Sequence, residues 1–161
     1  MNLYCLLAYF VSAPPWCGMT QQTSVLIVED SELFRRFLRL LLATPDIRIV
    51  GEAANGTDAL EIARGFAPEL VLLDIHLPDV NGIEVGRRIR QILPEAKLVF
   101  VTQETSEDFI QEALSVGTGY VSKNCAGADL PAAIAQVLKD GTFVSPDLDG
   151  GGTPKSWGSA L

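Results

Sequence analysis

The sequence is poor in the residues that build disulfide frameworks, zinc sites and nucleic-acid surfaces. Its 161 residues include three cysteines and one histidine, and 12 Lys and Arg stand against 20 Asp and Glu, for a net charge of −8. Three scattered cysteines are too few for a disulfide framework and are typical of a reducing, cytoplasmic compartment. The shortage of basic residues argues against direct nucleic-acid binding, which needs clustered Lys and Arg. We interpret the short run Arg35, Arg36 and Arg39 as a solvated helical stripe.

The chain also lacks an apolar run long enough to cross a membrane. Residues 1–18 carry no charged side chain, but their apolar stretch, residues 3–11, is nine residues long, whereas a spanning helix needs about 20. A signal peptide fits this length, yet no Lys or Arg precedes the stretch and no convincing cleavage site follows it. We therefore expect residues 1–23 to be an unstructured leader, with Met19 as a candidate native start, and no membrane association.

The carboxyl-terminal segment has almost no apolar periodicity. After Val144 the sequence SPDLDGGGTPKSWGSAL contains three consecutive glycines and a single Lys. Such composition is typical of flexible linkers. We expect residues 145–161 to form a flexible tail, which leaves residues 24–144 as one globular domain.

Between these ends, short apolar runs alternate with amphipathic segments. The runs are rich in β-branched residues, as in strands buried on both faces of a parallel sheet; they cover residues 25–28, 47–50, 70–73, 98–101 and 120–121. Apolar residues at helical spacing follow each run, and the weakest helix is predicted from about Thr57 to Arg64, ending at Gly65. Five such units predict a doubly wound α/β fold, a five-stranded parallel sheet with helices on both faces.

Polar residues follow four of the five predicted strands. Ligands of open α/β sheets bind at the carboxyl ends of the strands, so we expect one edge to gather Glu29, Asp30, Asp74, Thr102 and Lys123. Three carboxylates held together need a cation among them, and Mg²⁺ prefers such oxygen ligands. A carboxylate in such a site can also attack phosphorus, while the Thr hydroxyl and the Lys ammonium bind phosphoryl oxygens.

Four segments carry a resemblance to a known family: VLIVEDSELFRRFL, VLLDIHLPDVNGIEV, LVFVT and GYVSKN. In this order and at these separations they resemble the receiver domain of bacterial two-component response regulators, over residues 24–144. The resemblance implies the flavodoxin-like sheet order 2-1-3-4-5. With VSPDL further on, the chain looks most like the subfamily whose receivers precede a LuxR-type helix-turn-helix output domain, which is absent from this chain.

The resemblance also implies a role for each residue of this edge. It makes Asp74 the phosphoacceptor, Thr102 the residue that senses the phosphoryl group, and Lys123 its ionic partner. The implied Mg²⁺ ligands are Asp30 and Asp74 directly, Glu29 through water, and the backbone carbonyl of His76.

Further residues are implied to modulate this site. Tyr120 matches the aromatic switch position, whose ring turns inward as Thr102 moves. The His76 side chain and Glu104 lie where the family tunes dephosphorylation. Gln103 departs from the family, which generally has a small residue there, and we expect its larger side chain to crowd the phosphoryl group and alter phosphotransfer or hydrolysis.

The leading hypothesis is a phosphorylation-controlled switch that catalyses only its own phosphorylation and dephosphorylation. The resemblance implies a sensor histidine kinase or phosphotransfer protein as its donor, and pairing with a second copy through the face from the fourth to the fifth helix. The alternatives are a non-phosphorylated pseudo-receiver that binds proteins and a truncated transcriptional regulator. Glu29 and Asp30 disfavour a flavodoxin-like carrier, and His76 replaces the second Asp of aspartate-nucleophile phosphatases.

Overall fold

The computed structural model describes residues 22–148, in which strands and helices alternate along the chain. The strands are β1 (Thr23–Val28), β2 (Ile47–Ala53), β3 (Leu70–Leu73), β4 (Lys97–Thr102), β5 (Gly119–Ser122) and β6 (Phe143–Val144). The helices are α1 (Glu32–Leu41), α2 (Gly56–Phe66), α3 (Gly82–Ile92), α4 (Glu107–Leu114) and α5 (Ala126–Val137), and a short 3-10 helix covers Pro146–Leu148. No helix within this described part is long and apolar enough to cross a membrane.

The strands form one parallel sheet in the order β2-β1-β3-β4-β5-β6. The first five strands confirm the predicted order 2-1-3-4-5. Strand β6 was not predicted, because two residues are too few to produce a periodic signal. It pairs with Gly119 and Tyr120 of β5 and so extends the sheet by one edge strand.

The core lies on both faces of this sheet, because successive strand side chains point to opposite faces. Leu26 and Val28 of β1 face a cluster that includes buried residues of α2, α3 and α4. Val25 and Ile27 face a second cluster, to which α1 and α5 contribute. The prediction of helices on both faces is therefore confirmed, with three helices on one face and two on the other.

The ordered domain is longer at both ends than residues 24–144. Strand β1 begins at Thr23, inside the predicted leader. Ser145, which we assigned to a flexible tail, is fully buried: its hydroxyl accepts a hydrogen bond from the backbone N–H of Ser122 (3.0 Å) and donates one to Asp129 (2.6 Å). A polar residue that is buried by hydrogen bonds adds nothing to an apolar pattern, so the sequence did not indicate that Ser145 is ordered. The remaining parts of the leader and tail predictions, residues 1–21 and 149–161, lie outside the described residues.

The prediction that helix α2 ends at Gly65 is wrong. The helix continues to Phe66, and Ala67 then adopts a left-handed conformation with a φ of 44°. Pro68 follows, and a proline disfavours the right-handed helical conformation of the residue before it. The helix therefore stops because of Pro68, while Gly65 remains helical.

Candidate functional site

The carboxyl ends of β1, β3, β4 and β5 bring the predicted polar residues to one edge of the sheet. Asp74 directly follows β3 and is 4% exposed, and its backbone N–H bonds to the carbonyl of Val28 (2.9 Å), which holds it against β1. Glu29 follows β1 and is 1% exposed, whereas Asp30 is exposed. A cavity of about 260 Å³ opens here, lined by Glu29, Asp30, Ser31, Asp74, His76, Gln103 and Lys123.

The Lys123 ammonium lies between two buried carboxylates. Its Nζ is 2.6 Å from Glu29 Oε2 and 2.7 Å from Asp74 Oδ2, and it lies 4.8 Å from the centroid of the Phe34 ring. The ion pairs offset part of the cost of removing the three charges from water, and the aromatic face adds a cation–π attraction. The Lys123 side chain is thus held by Phe34 of α1 and by the residues that directly follow β1 and β3.

Burial and hydrogen bonding shift the pKa values of Glu29 and Lys123. Burial raises the pKa of Glu29, and the hydrogen bonds from Lys123 and from the Ser31 N–H offset only part of that effect. Burial alone would lower the pKa of Lys123, but its hydrogen bonds to Asp74 and Glu29 outweigh burial and raise it. Lys123 is therefore a fixed cation beside Asp74 at neutral pH.

The loop after Asp74 is folded tightly against the phosphoacceptor candidate. The backbone N–H of Gly82 donates to the Ile75 carbonyl (2.8 Å), and His76 and Asn81 pair as an isolated antiparallel bridge. The His76 N–H lies 3.3 Å from Asp74 Oδ1. A β-carbon on Gly82 would lie 1.9 Å from the Asp74 carbonyl oxygen, so only glycine allows the start of α3 to approach Asp74 this closely.

The same loop is tied to α2 through Asp79. The Asp79 carboxylate accepts hydrogen bonds from the backbone N–H groups of Gly56 (2.8 Å) and Thr57 (3.0 Å). These donors are the free N–H groups of a helix N-terminus. The hydrogen bond from Gly56 is the largest cause that lowers the pKa of Asp79 to about 2.

The Glu104 peptide connects Thr102 to Tyr120. Thr102 is fully buried, and its hydroxyl oxygen is 3.3 Å from the backbone N–H of Glu104. Tyr120 is also fully buried, and its hydroxyl donates to the Glu104 carbonyl (2.8 Å). The Tyr120 ring therefore lies inward in this structure, and its burial raises its pKa.

Two of the three residues predicted to modulate the site, His76 and Gln103, line the cavity, and the third, Glu104, lies beside His76. The carboxylate of Glu104 is 3.6 Å from His76 Nε2, so side chains from the loops after β3 and β4 meet there. Gln103 is exposed and lines both this cavity and a neighbouring apolar groove that includes Phe34 and Phe37. The structure thus places the residues of the sequence-derived site at this edge except Tyr120, which lies within β5 and reaches the edge through the Glu104 carbonyl.

The acidic group has the donor chemistry of a Mg²⁺ site. Glu29, Asp30 and Asp74 each place one carboxylate oxygen within 4.8 Å of the other two. Mg²⁺ is a hard cation that binds through a few carboxylates and retains waters. An all-oxygen set with one exposed member, Asp30, fits that requirement.

Two residues near the site were missed from sequence. We interpreted Arg35 as part of a solvated stripe, but its side chain is only 13% exposed and bonds to the carbonyls of Glu29 and Asp30. Its position four residues after the helix cap Ser31 was the available signal, since that spacing returns to the same helix face. Asp79 carries no such signal, because its partners at the start of α2 are more than 20 residues away in sequence.

Comparisons with known proteins agree with this geometry. The family model described as the response regulator receiver domain matches residues 25–135. The chain is 32% identical to the response regulator GacA of Pseudomonas aeruginosa over 126 residues, 77% of this chain and 59% of that protein. It is 29% identical to the transcriptional regulatory protein DegU of Brevibacillus brevis over 77% of this chain and 53% of that protein.

A solved structure gives the same result for the fold. A two-component response regulator of the LuxR family from Aurantimonas sp. SI85-9A1 is 30% identical and superposes with a TM-score of 0.75, covering 80% of this chain and 94% of that one. The matched region spans little more than half the length of the curated relatives.

Proposed function

Because the chain belongs to the response regulator receiver family of two-component systems, we propose that it is a phosphorylation-controlled switch with Asp74 as the phosphoacceptor. The observation that carries this proposal is the environment of Asp74. Its carboxylate is buried at the end of β3, has the Lys123 ammonium at 2.7 Å, and lies within 4.8 Å of the carboxylates of Glu29 and Asp30.

The acidic group is the proposed metal site. Asp30 and Asp74 would hold Mg²⁺ directly, Glu29 through water, and the His76 carbonyl would complete the protein ligands. Bound there, Mg²⁺ offsets the repulsion between the Asp74 carboxylate and the phosphoryl oxygens. The contact of the His76 N–H with Asp74 Oδ1 and the bridge between His76 and Asn81 hold His76 beside Asp74.

The proposed reaction is a phosphoryl transfer from a phosphohistidine of a sensor kinase or phosphotransfer protein. A carboxylate oxygen of Asp74 attacks phosphorus and forms the P–O bond as the P–N bond breaks. The electron pair stays on the ring nitrogen of a phosphohistidine whose other ring nitrogen carries a proton, so the histidine leaves as neutral imidazole. Lys123 remains protonated and neutralises a phosphoryl oxygen. Gln103, at the mouth of the cavity, is placed to crowd the incoming group.

The proposed switch operates through the Glu104 peptide. When the Thr102 hydroxyl turns to donate to a phosphoryl oxygen on Asp74, it gives up its contact with the Glu104 N–H. The resemblance implied that the Tyr120 ring turns inward as Thr102 moves, but here the ring is already inward while Thr102 still contacts the Glu104 N–H. In the proposed switch the Glu104 carbonyl therefore stays bound to Tyr120, and the loop before α4 changes position around this hydrogen bond. The surface formed by α4, β5 and α5 changes as a result, and it is the proposed interface with partners, including a second copy of this chain.

Phosphorylation by acetyl phosphate tests the proposal. With Mg²⁺ present, intact mass spectrometry should show one added phosphoryl group on the wild-type chain and on Asp46→Asn, whose carboxylate is exposed before β2 at the opposite edge. Asp74→Asn should gain none. Gln103→Ala should be labelled faster than the wild-type protein, because the smaller side chain opens the cavity.

Two results would contradict the proposal. A folded wild-type chain and a folded Gln103→Ala variant that both remain unlabelled would favour the alternative of a non-phosphorylated protein-binding module. Equal labelling of Asp74→Asn and the wild-type chain would place the acceptor elsewhere.

A further inference from the structure

The guanidinium of Arg35 reaches back from α1 to the loop that carries the acidic pair. Its Nη1 is 2.5 Å from the carbonyl oxygen of Glu29 and 3.2 Å from that of Asp30. Its Nη2 pairs with Glu32, and its Nε is 3.6 Å from Glu52 Oε2. One side chain therefore joins two loop carbonyls to carboxylates on α1 and β2.

We propose that Arg35 is a positioning residue of the cation site, an inference that rests on the function proposed above. By binding the carbonyls of both Glu29 and Asp30, it fixes the two peptides from which these carboxylates project toward Asp74. Asp30 depends most on this constraint, because its side chain is exposed and its direction follows from the backbone. A planar guanidinium with five N–H donors can hold several acceptors at once, which a lysine ammonium does with less geometric control.

Arg39 provides a matched control in the same ionic network. Its guanidinium lies 2.6 Å from Glu52 and 2.9 Å from Glu32, so it pairs with the same two carboxylates as Arg35. It lies one helical turn further from the loop, about 6 Å along α1. Replacing either arginine with glutamine removes one positive charge from the network, but only the replacement of Arg35 also releases the loop carbonyls.

An electrostatic role and a positioning role of Arg35 predict opposite effects of its substitution on Mg²⁺ affinity. Removing a nearby positive charge favours binding of a cation, so a purely electrostatic role predicts tighter binding after either substitution. A positioning role predicts weaker binding after Arg35→Gln alone. The sign of the change therefore separates the two roles.

Calorimetric titration with MgCl₂ tests the inference without any phosphoryl donor. We expect Arg35→Gln to weaken Mg²⁺ binding about tenfold, the scale on which residues that orient metal ligands act. Arg39→Gln should bind Mg²⁺ as tightly as the wild-type chain or slightly more tightly. Arg35→Lys keeps the charge but loses the planar guanidinium that binds both carbonyls, so this variant should also bind Mg²⁺ more weakly than the wild-type chain. Thermal unfolding in EDTA reports separately on any loss of stability.

Each outcome decides the question. If Arg35→Gln and Arg39→Gln bind Mg²⁺ equally, or if Arg35→Gln binds it more tightly, the positioning role is wrong. If Arg35→Gln does not fold, Arg35→Lys replaces it, and wild-type affinity in that variant overturns the inference. If the wild-type chain takes up a phosphoryl group but Arg35→Gln binds Mg²⁺ as tightly as the wild-type chain, this inference is wrong and the proposed function is unaffected. A wild-type chain that binds no Mg²⁺ contradicts both.

Discussion

Gly82 is the position at which one added methyl group should disturb the proposed phosphoacceptor most directly. A β-carbon there would lie 1.9 Å from the Asp74 carbonyl oxygen and 2.8 Å from both the Asp74 carbonyl carbon and Ile75 Cα. Such contacts are essentially never closer than 3.0 Å, so the Asp74 peptide and the start of α3 must separate by about 1 Å (3.0 − 1.9). All three contacts are backbone atoms, so no side-chain rotation can relieve them.

The expected cost of Gly82→Ala has two parts. Overpacking of this kind lowers the free energy of unfolding by about 1–3 kcal/mol. A displacement of about 1 Å at a reacting group lowers the rate by roughly 10²-fold, so labelling of Asp74 by acetyl phosphate should slow far more than the stability loss alone explains. Urea denaturation and time-resolved intact mass spectrometry measure the two effects separately.

Gly65→Ala is the control for adding a methyl group to a glycine. A β-carbon at Gly65 meets nothing within 4 Å, and the residue lies inside helix α2, where alanine is preferred over glycine by about 0.5–1 kcal/mol. This variant should be slightly more stable than the wild-type chain and labelled at the same rate. If Gly82→Ala also retained wild-type stability and labelling, the close approach of α3 to Asp74 would have no role in the site.

Three further predictions concern stability and its dependence on pH. Lys123→Ala leaves two buried carboxylates without their cation, so in EDTA the free energy of unfolding should fall by about 3 kcal/mol. Added Mg²⁺ should stabilise this variant more than the wild-type chain in urea denaturation. The pKa of Asp79 is about 2 in the folded chain against an ordinary 3.8, so its stabilising effect is complete above that ordinary value and is lost as the pH falls through about 2. Asp79→Asn should therefore be less stable than the wild-type chain at pH 7, with a difference that shrinks below about pH 4. Tyr120→Phe removes the hydrogen bond to the Glu104 carbonyl and should lower the free energy of unfolding by about 1 kcal/mol.

Each of these has a contradicting result. A Lys123→Ala protein as stable as the wild-type chain in EDTA would mean that the Glu29 and Asp74 carboxylates do not need their ammonium partner. A pH-independent difference for Asp79→Asn would separate its effect from the charge on the carboxylate. Unchanged stability of Tyr120→Phe would show that the hydroxyl finds an equally good partner in water.

The strands and the acidic edge could be predicted because their signals are local. Residues 25–28 and 70–73 are unbroken apolar runs. The residue that directly follows such a run in a parallel sheet lies at the carboxyl edge of the sheet, independently of the rest of the sequence. That rule places Glu29 and Asp74 at the same edge of the sheet, and the strand order implied by the family resemblance makes β1 and β3 neighbours. The match to the receiver family then added the roles that spacing does not supply.

Most of the features that were missed depend on contacts distant in sequence. Strand β6 is held by pairing with β5, and Ser145 is buried by partners on β5 and α5, neither of which leaves a periodic pattern. Arg35 differs, because the carbonyls that it binds are only six and five residues away. It was missed because it lies in a short run of arginines, which is typical of a solvated helix face. Asp79 is an ordinary loop residue until α2 is placed beside it.

The most direct measurement of the central claim is the identification of the residue that carries the phosphoryl group. Borohydride reduces an acyl phosphate to the corresponding alcohol, so borohydride treatment of the acetyl phosphate-labelled chain marks the acceptor residue permanently. Sequencing the peptides by mass spectrometry then identifies that residue. We expect reduction of the side chain of Asp74, dependent on Mg²⁺ and absent in Asp74→Asn. Reduction at Glu29 or Asp30 in its place, or a label that survives in Asp74→Asn, would contradict it.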